Sequence, residues 1–309
     1  MQKVVFILLL AFYSAIACGQ LRSIQEKLGY PKDAKLVIIH ADDLGVTNSE
    51  NAASISAMEK GCVSSASIMV PCPWFPEIAS YSPAHPDADL GLHITLTSEW
   101  KYYKWGPVTA AAKVPGLVNK YGFLYSTVDS VSHRATAAEV ETETRNQVVR
   151  AIQFGMNPTH LDAHMFTAFS RVDFLKAYIK IGHEFKIPVF IPRLLDTSLK
   201  IKLDTLVSDK DVIVDYILSM SPEDFKKGSK NFYINSIKHI KPGLTYFFIH
   251  TAYDNDEMKA VTTGFTDWGS AWRQQEYDFF SSPDCAKALK ENNIYIITWK
   301  EIRDKITRK

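Results

Sequence analysis

The 309-residue chain is 46% hydrophobic and 22% charged, with a formal net charge of +1. That is the composition of a globular protein, with enough chain for one large domain or two small ones. The near-neutral balance, with no long basic run and no RNP-like or zinc-finger pattern, argues against nucleic-acid binding or attraction to an acidic membrane surface.

The first residues, "MQKVVFILLLAFYSAIACGQ", combine Lys3, an apolar run from Val4 to Leu10 and the small residues Ala15 and Ala17. This is the layout of an export signal over residues 1–20, removed on maturation. The run is too short and too polar-flanked for a membrane span. Read instead as a lipoprotein box, "AIAC" would leave Cys18 lipidated, so membrane contact is expected only through that anchor. Either reading places the protein outside the cytoplasm, periplasmic or secreted. Beyond Cys18 stand Cys62, Cys72 and Cys285. The odd count argues against a disulfide framework, leaves one bridge such as Cys62–Cys72 open, and otherwise makes them small buried hydrophobes.

Buried-strand candidates follow in order: "AKLVIIHA" (34–41), "SSASIMV" (64–70), "ADLGLHITLT" (88–97), "PTHLDAHMF" (158–166), "IPVFIPRLL" (187–195), "LTYFFIH" (244–250) and "IYIITW" (294–299). Helix patterns lie between them at 49–61, 136–155, 174–186 and 281–293. Thr136 with Glu139 makes a capping box, and Gly155 a stop. Strands apolar on both faces, alternating with helices, predict a parallel sheet covered by helices. Their number suits a TIM-barrel-like (β/α) barrel of irregular form, with 98–135 as a loop insertion after the third strand. No G-x-G-x-x-G follows the first strand, which weakens a dinucleotide-binding alternative. Residues 21–309 therefore read as one catalytic domain.

Barrel enzymes carry their chemistry at the C-terminal ends of strands, and the unusual polar residues gather there. Asp42 and Asp43 end the first strand, His93 lies in the third, Asp162 and His164 in the fourth, and His250 ends a later one. Asp43, His93 and His164 form a facial divalent-metal set with open positions. Each also has a plainer reading: a hydrogen-bonded core histidine, or, for Asp42 and Asp43, an N-cap of the 49–61 helix. The imidazole pair favours zinc, while magnesium, cobalt, manganese or nickel would also be tolerated.

Taken in order, "HADDLGVTNSENAA", "DLGLHITLT", "GMNPTHLDAHMF", "IPVFIPR" and "GLTYFFIH" resemble the motifs of the YdjC-like carbohydrate deacetylases, which include chitooligosaccharide deacetylases. The resemblance runs from about Lys35 to Trp299. It implies metal-dependent removal of N-acetyl groups from amino sugars or oligosaccharides. Asp43, His93 and His164 fall on the family's metal-ligand positions and Asp42 on that of the base, which activates a water held by the metal. His250 resembles the late histidine that acts as acid or holds the intermediate, and Arg193 matches a basic position near substrate. Two departures stand out: Phe166 replaces the second His of the D-x-H-x-H pattern, and "HTAYDN" stands where a His-Pro-Gly run is common.

Asp162 is the expected carboxylate behind an imidazole, fixing its tautomer. Trp100, Tyr103 and Trp105 are expected to stack on sugar rings, with Trp268 and Trp272 as a second aromatic group. The rivals are an ester or phosphoester hydrolase on the same barrel, and a catalytically silent glycan-binding protein.

Overall fold

The computed structural model describes residues 23–309, so the expected export signal and the Cys18 anchor lie outside the described residues. The first strand, β1 (Lys35–Leu44), is buried along almost its whole length, as a strand covered on both faces must be. It is flanked by β2 (Ser65–Ile68), β3 (Leu90–Ile94) and β4 (Leu161–Ala163) on one side. A short β5 (Ile191–Pro192) pairs with β6 (Ile213–Val214), which runs through Asp215 into β7 (Tyr216–Leu218). On the other side of β1 lies β8 (Gly243–Ile249), and β9 (Ile294–Ile296) pairs with β1 at residues 35–37.

The main sheet runs β4-β3-β2-β1-β8-β7, and every pairing between its strands is parallel. The β5–β6 pair spans the gap. A Leu161–Val189 bridge ties its approach to β4, and Asp215 N donates to Leu244 O at 3.0 Å. The result is an irregular parallel barrel with flanking helices, as the strand and helix alternation predicts.

The helices at Asn48–Lys60, Ala137–Gln153, Val172–Phe185 and Pro283–Glu291 match the expected segments. Thr136 and Glu139 form the capping box. The 48–60 helix is capped by Thr47, not by either aspartate, which removes the N-cap reading of Asp42 and Asp43. The expected strand at 187–195 shrinks to two residues, because Pro188 and Pro192 cannot donate to a ladder. Helices at Phe75–Ala84 and Ser229–Lys238 lie where no helix was expected; the first carries Pro83 inside it. Cys62, Cys72 and Cys285 are all free and buried, so the Cys62–Cys72 bridge is not formed.

The 98–135 insertion folds back onto the barrel. Trp100, Trp105, Leu117, Leu124 and Val131 are buried, and the Trp105 indole N–H donates to Thr97 O at 2.8 Å. This anchoring holds the start of the insertion over the C-terminal ends of β1, β3 and β4.

Candidate active site

Adjacent residues of a regular strand point to opposite faces, so Asp42 and Asp43 should not share a site. A bulge changes that. Between Ala41 and Leu44 the register of β1 against β2 slips, placing three steps of β1 opposite two of β2. Asp43 takes up the extra residue at φ 65°, a left-handed conformation that aspartate tolerates better than most residues. Both carboxylates then enter one buried site, with Asp42 7% and Asp43 4% exposed.

His93 sits opposite Asp162 in the β3–β4 register. Its Nδ1 donates to Asp162 Oδ1 at 2.8 Å, since an ionised carboxylate can only accept. This leaves Nε2 bare, 3.6 Å from Asp43 Oδ1 and 3.7 Å from Asp42 Oδ2. His164 uses the opposite nitrogens. Its Nε2 donates to Glu99 Oε2 at 2.9 Å, and Nδ1 faces Asp43 Oδ1 at 3.3 Å. His93 Nε2, His164 Nδ1 and one Asp43 oxygen converge; that oxygen is buried and has no well-aligned hydrogen-bond partner. An oxygen left so costs free energy unless a cation or donor completes it. The donor set therefore fits a divalent metal.

His250, at the end of β8, puts Nε2 3.3 Å from Asp42 Oδ1. Behind it Glu276 accepts the His250 backbone N–H at 2.6 Å and lies 3.7 Å from Nδ1. Arg273, from the Ser270–Phe280 helix, donates to Asp43 Oδ2 at 2.9 Å and to Trp268 O at 2.8 Å, and pairs with Glu50.

These neighbours push the two aspartates apart. Burial, reinforced by Asp43 and Asp162, holds the Asp42 carboxyl well above the usual carboxylate range, despite His250 and Arg273. Burial acts in the same direction on Asp43, but Arg273, His164 and His250 outweigh it and hold that group well below. Burial alone would lower His164 and His250. Glu99 and Asp43 raise the first well above the ordinary histidine value, and Asp42 and Glu276 raise the second.

Asp162 is held from its other side as well. Ser67 Oγ (2.9 Å) and Tyr246 OH (3.0 Å) donate to its Oδ2, and His40 Nε2 lies 3.0 Å away. Burial works against ionisation there, but His93 and His40 hold Asp162 well below the usual range.

A cavity of about 550 Å³ opens over this constellation and is lined by Asp42, Asp43, His93, His164, His250 and Trp100, among others. A family model for YdjC-like proteins matches residues 36–291. The chain belongs to the YdjC-like family. It is 26% identical over 274 residues to a carbohydrate deacetylase of Thermus thermophilus, covering 87% of this chain and 94% of that protein. A chitooligosaccharide deacetylase of Serratia marcescens is 32% identical over 133 residues, 42% of this chain and 49% of that one. An Enterococcus faecalis crystal structure, of a protein proposed to cleave cellobiose phosphate, shares the fold. Its TM-score is 0.72 at 19% identity, over 87% of this chain and 99% of that one.

Within this YdjC-like fold, Asp42, Asp43, His93, His164, Asp162 and His250 come together. Arg193 does not join them. It follows β5 on another face, 3.7 Å from Asp196 and 3.6 Å from Asp204, and does not line the cavity. Of the first aromatic group only Trp100 reaches the cavity. Tyr103 donates to Val46 O at 2.8 Å, and Trp105 packs between Trp100 and His164. In the second group Trp268 lines the cavity, whereas Trp272 is fully buried beneath it.

Four site residues escape sequence reading: Glu99, Arg273, Glu276 and Glu50. Arg273 and Glu276 lie one helical turn apart, on the stripe that buries Trp272 and Phe280. Charges on an apolar stripe were the available signal.

Proposed function

We infer that the protein is a metal-dependent carbohydrate deacetylase that hydrolyses N-acetyl groups of amino sugars or oligosaccharides. The observation that carries this reading is the convergence of His93 Nε2, His164 Nδ1 and the buried Asp43 oxygen beside a second, more basic aspartate. The names of the similar carbohydrate and chitooligosaccharide deacetylases supply the substrate class.

Asp43, His93 and His164 would hold the ion, with zinc first on ligand chemistry. Such an ion, when bound, polarises an acetyl carbonyl and acidifies water. The residues themselves divide the proton traffic. Asp42, kept basic by burial, accepts a proton from the attacking water as its oxygen bonds to the acetyl carbon. His250, kept protonated by Asp42 and Glu276, gives a proton to the amine as the C–N bond breaks. Its Nε2 lies 3.3 Å from Asp42 Oδ1, so the proton taken by Asp42 can return to His250 and reset the pair. Water's second proton leaves with the acetic acid.

Asp42, Asp43 and His250 form a second, overlapping group of possible ligands, which would suit a two-metal phosphoesterase. Metal content separates the readings: one ion per chain and acetate release support the deacetylase. Asp42→Asn should keep the ion and lose turnover by about 10²–10⁴-fold, while His164→Ala should lose both. Full activity in Asp42→Asn would remove Asp42 from the base role, and undiminished metal in His164→Ala would remove that ligand.

A further inference from the structure

The cavity wall away from the aspartates is apolar. Met165, Phe166, Phe265 and Trp268 line it together and are 37–44% exposed, with Phe248 and Met220 also in the lining. The Phe166 ring meets Phe248 edge-on at 5.8 Å. Phe248 in turn meets the His250 ring at 5.9 Å, so the apolar wall continues into the reacting groups.

The backbone under this wall is held in an unusual state. Met165, Phe166 and Trp268 have φ of 50°, 54° and 56°, the left-handed region that bulky side chains avoid. One side of these rings is packed, Phe166 on Phe169, Phe190 and Phe248 and Trp268 on Trp272, and the other side faces the cavity, where a ligand's apolar surface would cover it.

Several polar groups of the cavity are already engaged. Arg273 is bound to Asp43, Glu50 and Trp268, Glu99 to His164, and Ser221 to Asp224 at 2.5 Å. Among the described residues no lysine lines the cavity. Lys104 of the overlying insertion donates to Ser98 O, and Lys101 lies over the Tyr102 ring. Positive charge in the cavity is confined to the reacting end, at His250 and the metal-ligand set, so an anionic substituent seated along the apolar wall would find no lysine or free arginine to pair with. At about 550 Å³ the space is of a size that takes a drug-like ligand, more than one amino sugar.

We propose that the substrate is a neutral N-acetylated amino sugar linked to an apolar aglycone, and that Phe166, Phe248, Phe265 and Trp268 seat the aglycone. This rests on the deacetylase reading and narrows its substrate class. The probes are methyl and phenyl N-acetyl-β-glucosaminides and N-acetylglucosamine 6-phosphate. Acetate release should show a kcat/KM about tenfold or more higher for the phenyl than the methyl glycoside. The phosphate should fall at least about tenfold below the methyl glycoside. Phe166→His and Phe265→Ser should each bring the phenyl-to-methyl ratio towards one.

Binding supplies a readout independent of turnover. Phenyl glucoside, which has no acetyl group, should quench tryptophan fluorescence of metal-free wild-type protein and do so more weakly in Phe166→His. If no probe releases acetate while phenyl glucoside binds through Phe166, the deacetylase reading falls and the apolar seat stands. Equal rates on phenyl, methyl and phosphorylated probes overturn the apolar seat and leave the deacetylase standing.

Discussion

Removing Glu99 isolates the contribution of a group that would not hold the metal itself but orients a histidine that would. Its Oε2 accepts from His164 Nε2 at 2.9 Å, and the side chain is only 14% exposed. The contact fixes the tautomer that presents Nδ1 to Asp43 and makes the imidazole a stronger donor. Carboxylates in this position typically contribute about 10–100-fold in metal affinity, or roughly 1.4–2.8 kcal/mol. The insertion that carries Glu99 is held independently, by the Trp105 indole on Thr97 O and by Lys104 on Ser98 O. Glu99→Ala should therefore fold normally and weaken zinc binding by about 10–100-fold. Glu99→Gln keeps an acceptor for the imidazole N–H but loses its charge, and should fall between. Competition titration against a chromophoric chelator measures both. Zinc affinity within about twofold of wild type in Glu99→Ala would show that His164 is oriented without Glu99, or is not a ligand.

Chelation should lower the melting temperature by about 5–10 °C relative to protein with metal at 100-fold its Kd; superimposable melts would count against a metal in this site. Gly91→Ala should cost about 1–3 kcal/mol, because an added Cβ would lie 2.4 Å from the His160 ring, itself stacked on Trp299 at 5.2 Å. A denaturant midpoint equal to wild type would refute that packing argument. His250→Gln should lower kcat by about 10²-fold or more while leaving zinc content at wild-type level, checked by turnover and metal analysis together. Loss of zinc in that variant would instead make His250 a ligand.

The strands that carry the site were legible because they are buried on both faces. β1 and β8 read as continuous apolar runs, and a histidine or aspartate at their ends is conspicuous. β6 and β7, of two and three residues, leave no such run. The conformation that makes the aspartate pair useful was not legible, because the bulge depends on how β1 registers against β2. Glu99 and Arg273 were invisible for a related reason: each reaches its partner across more than sixty residues of chain. Arg193 was misplaced because a motif fixes a position along the chain and not the direction of a long side chain. It projects on a different face, towards Asp196 and Asp204.

The charge inventory around the cavity explains why the two adjacent aspartates are tolerated. Asp42, Asp43, Glu50, Glu99, Asp162 and Glu276 are clustered there in the interior, against the one guanidinium of Arg273. Burial, partly offset by Arg273, pushes Glu50 up to about 8, so near neutral pH it is largely protonated and adds little charge. Burial raises Asp42 as well, and a cation held beside it would favour the ionised form that a base needs. Asp43 and Asp162 are held ionised, and the compensating positive charge falls on His164 and His250 when no cation is bound. Positive charge on His164 is incompatible with its Nδ1 acting as a ligand, because ligation needs the lone pair. A divalent cation and a proton on His164 are thus alternative answers to one electrostatic deficit. His250, backed by Glu276 and with its Nε2 towards Asp42, is free to keep its proton when Asp43, His93 and His164 hold the cation. That asymmetry between two histidines in one acidic pocket would let one serve as a ligand and the other as an acid.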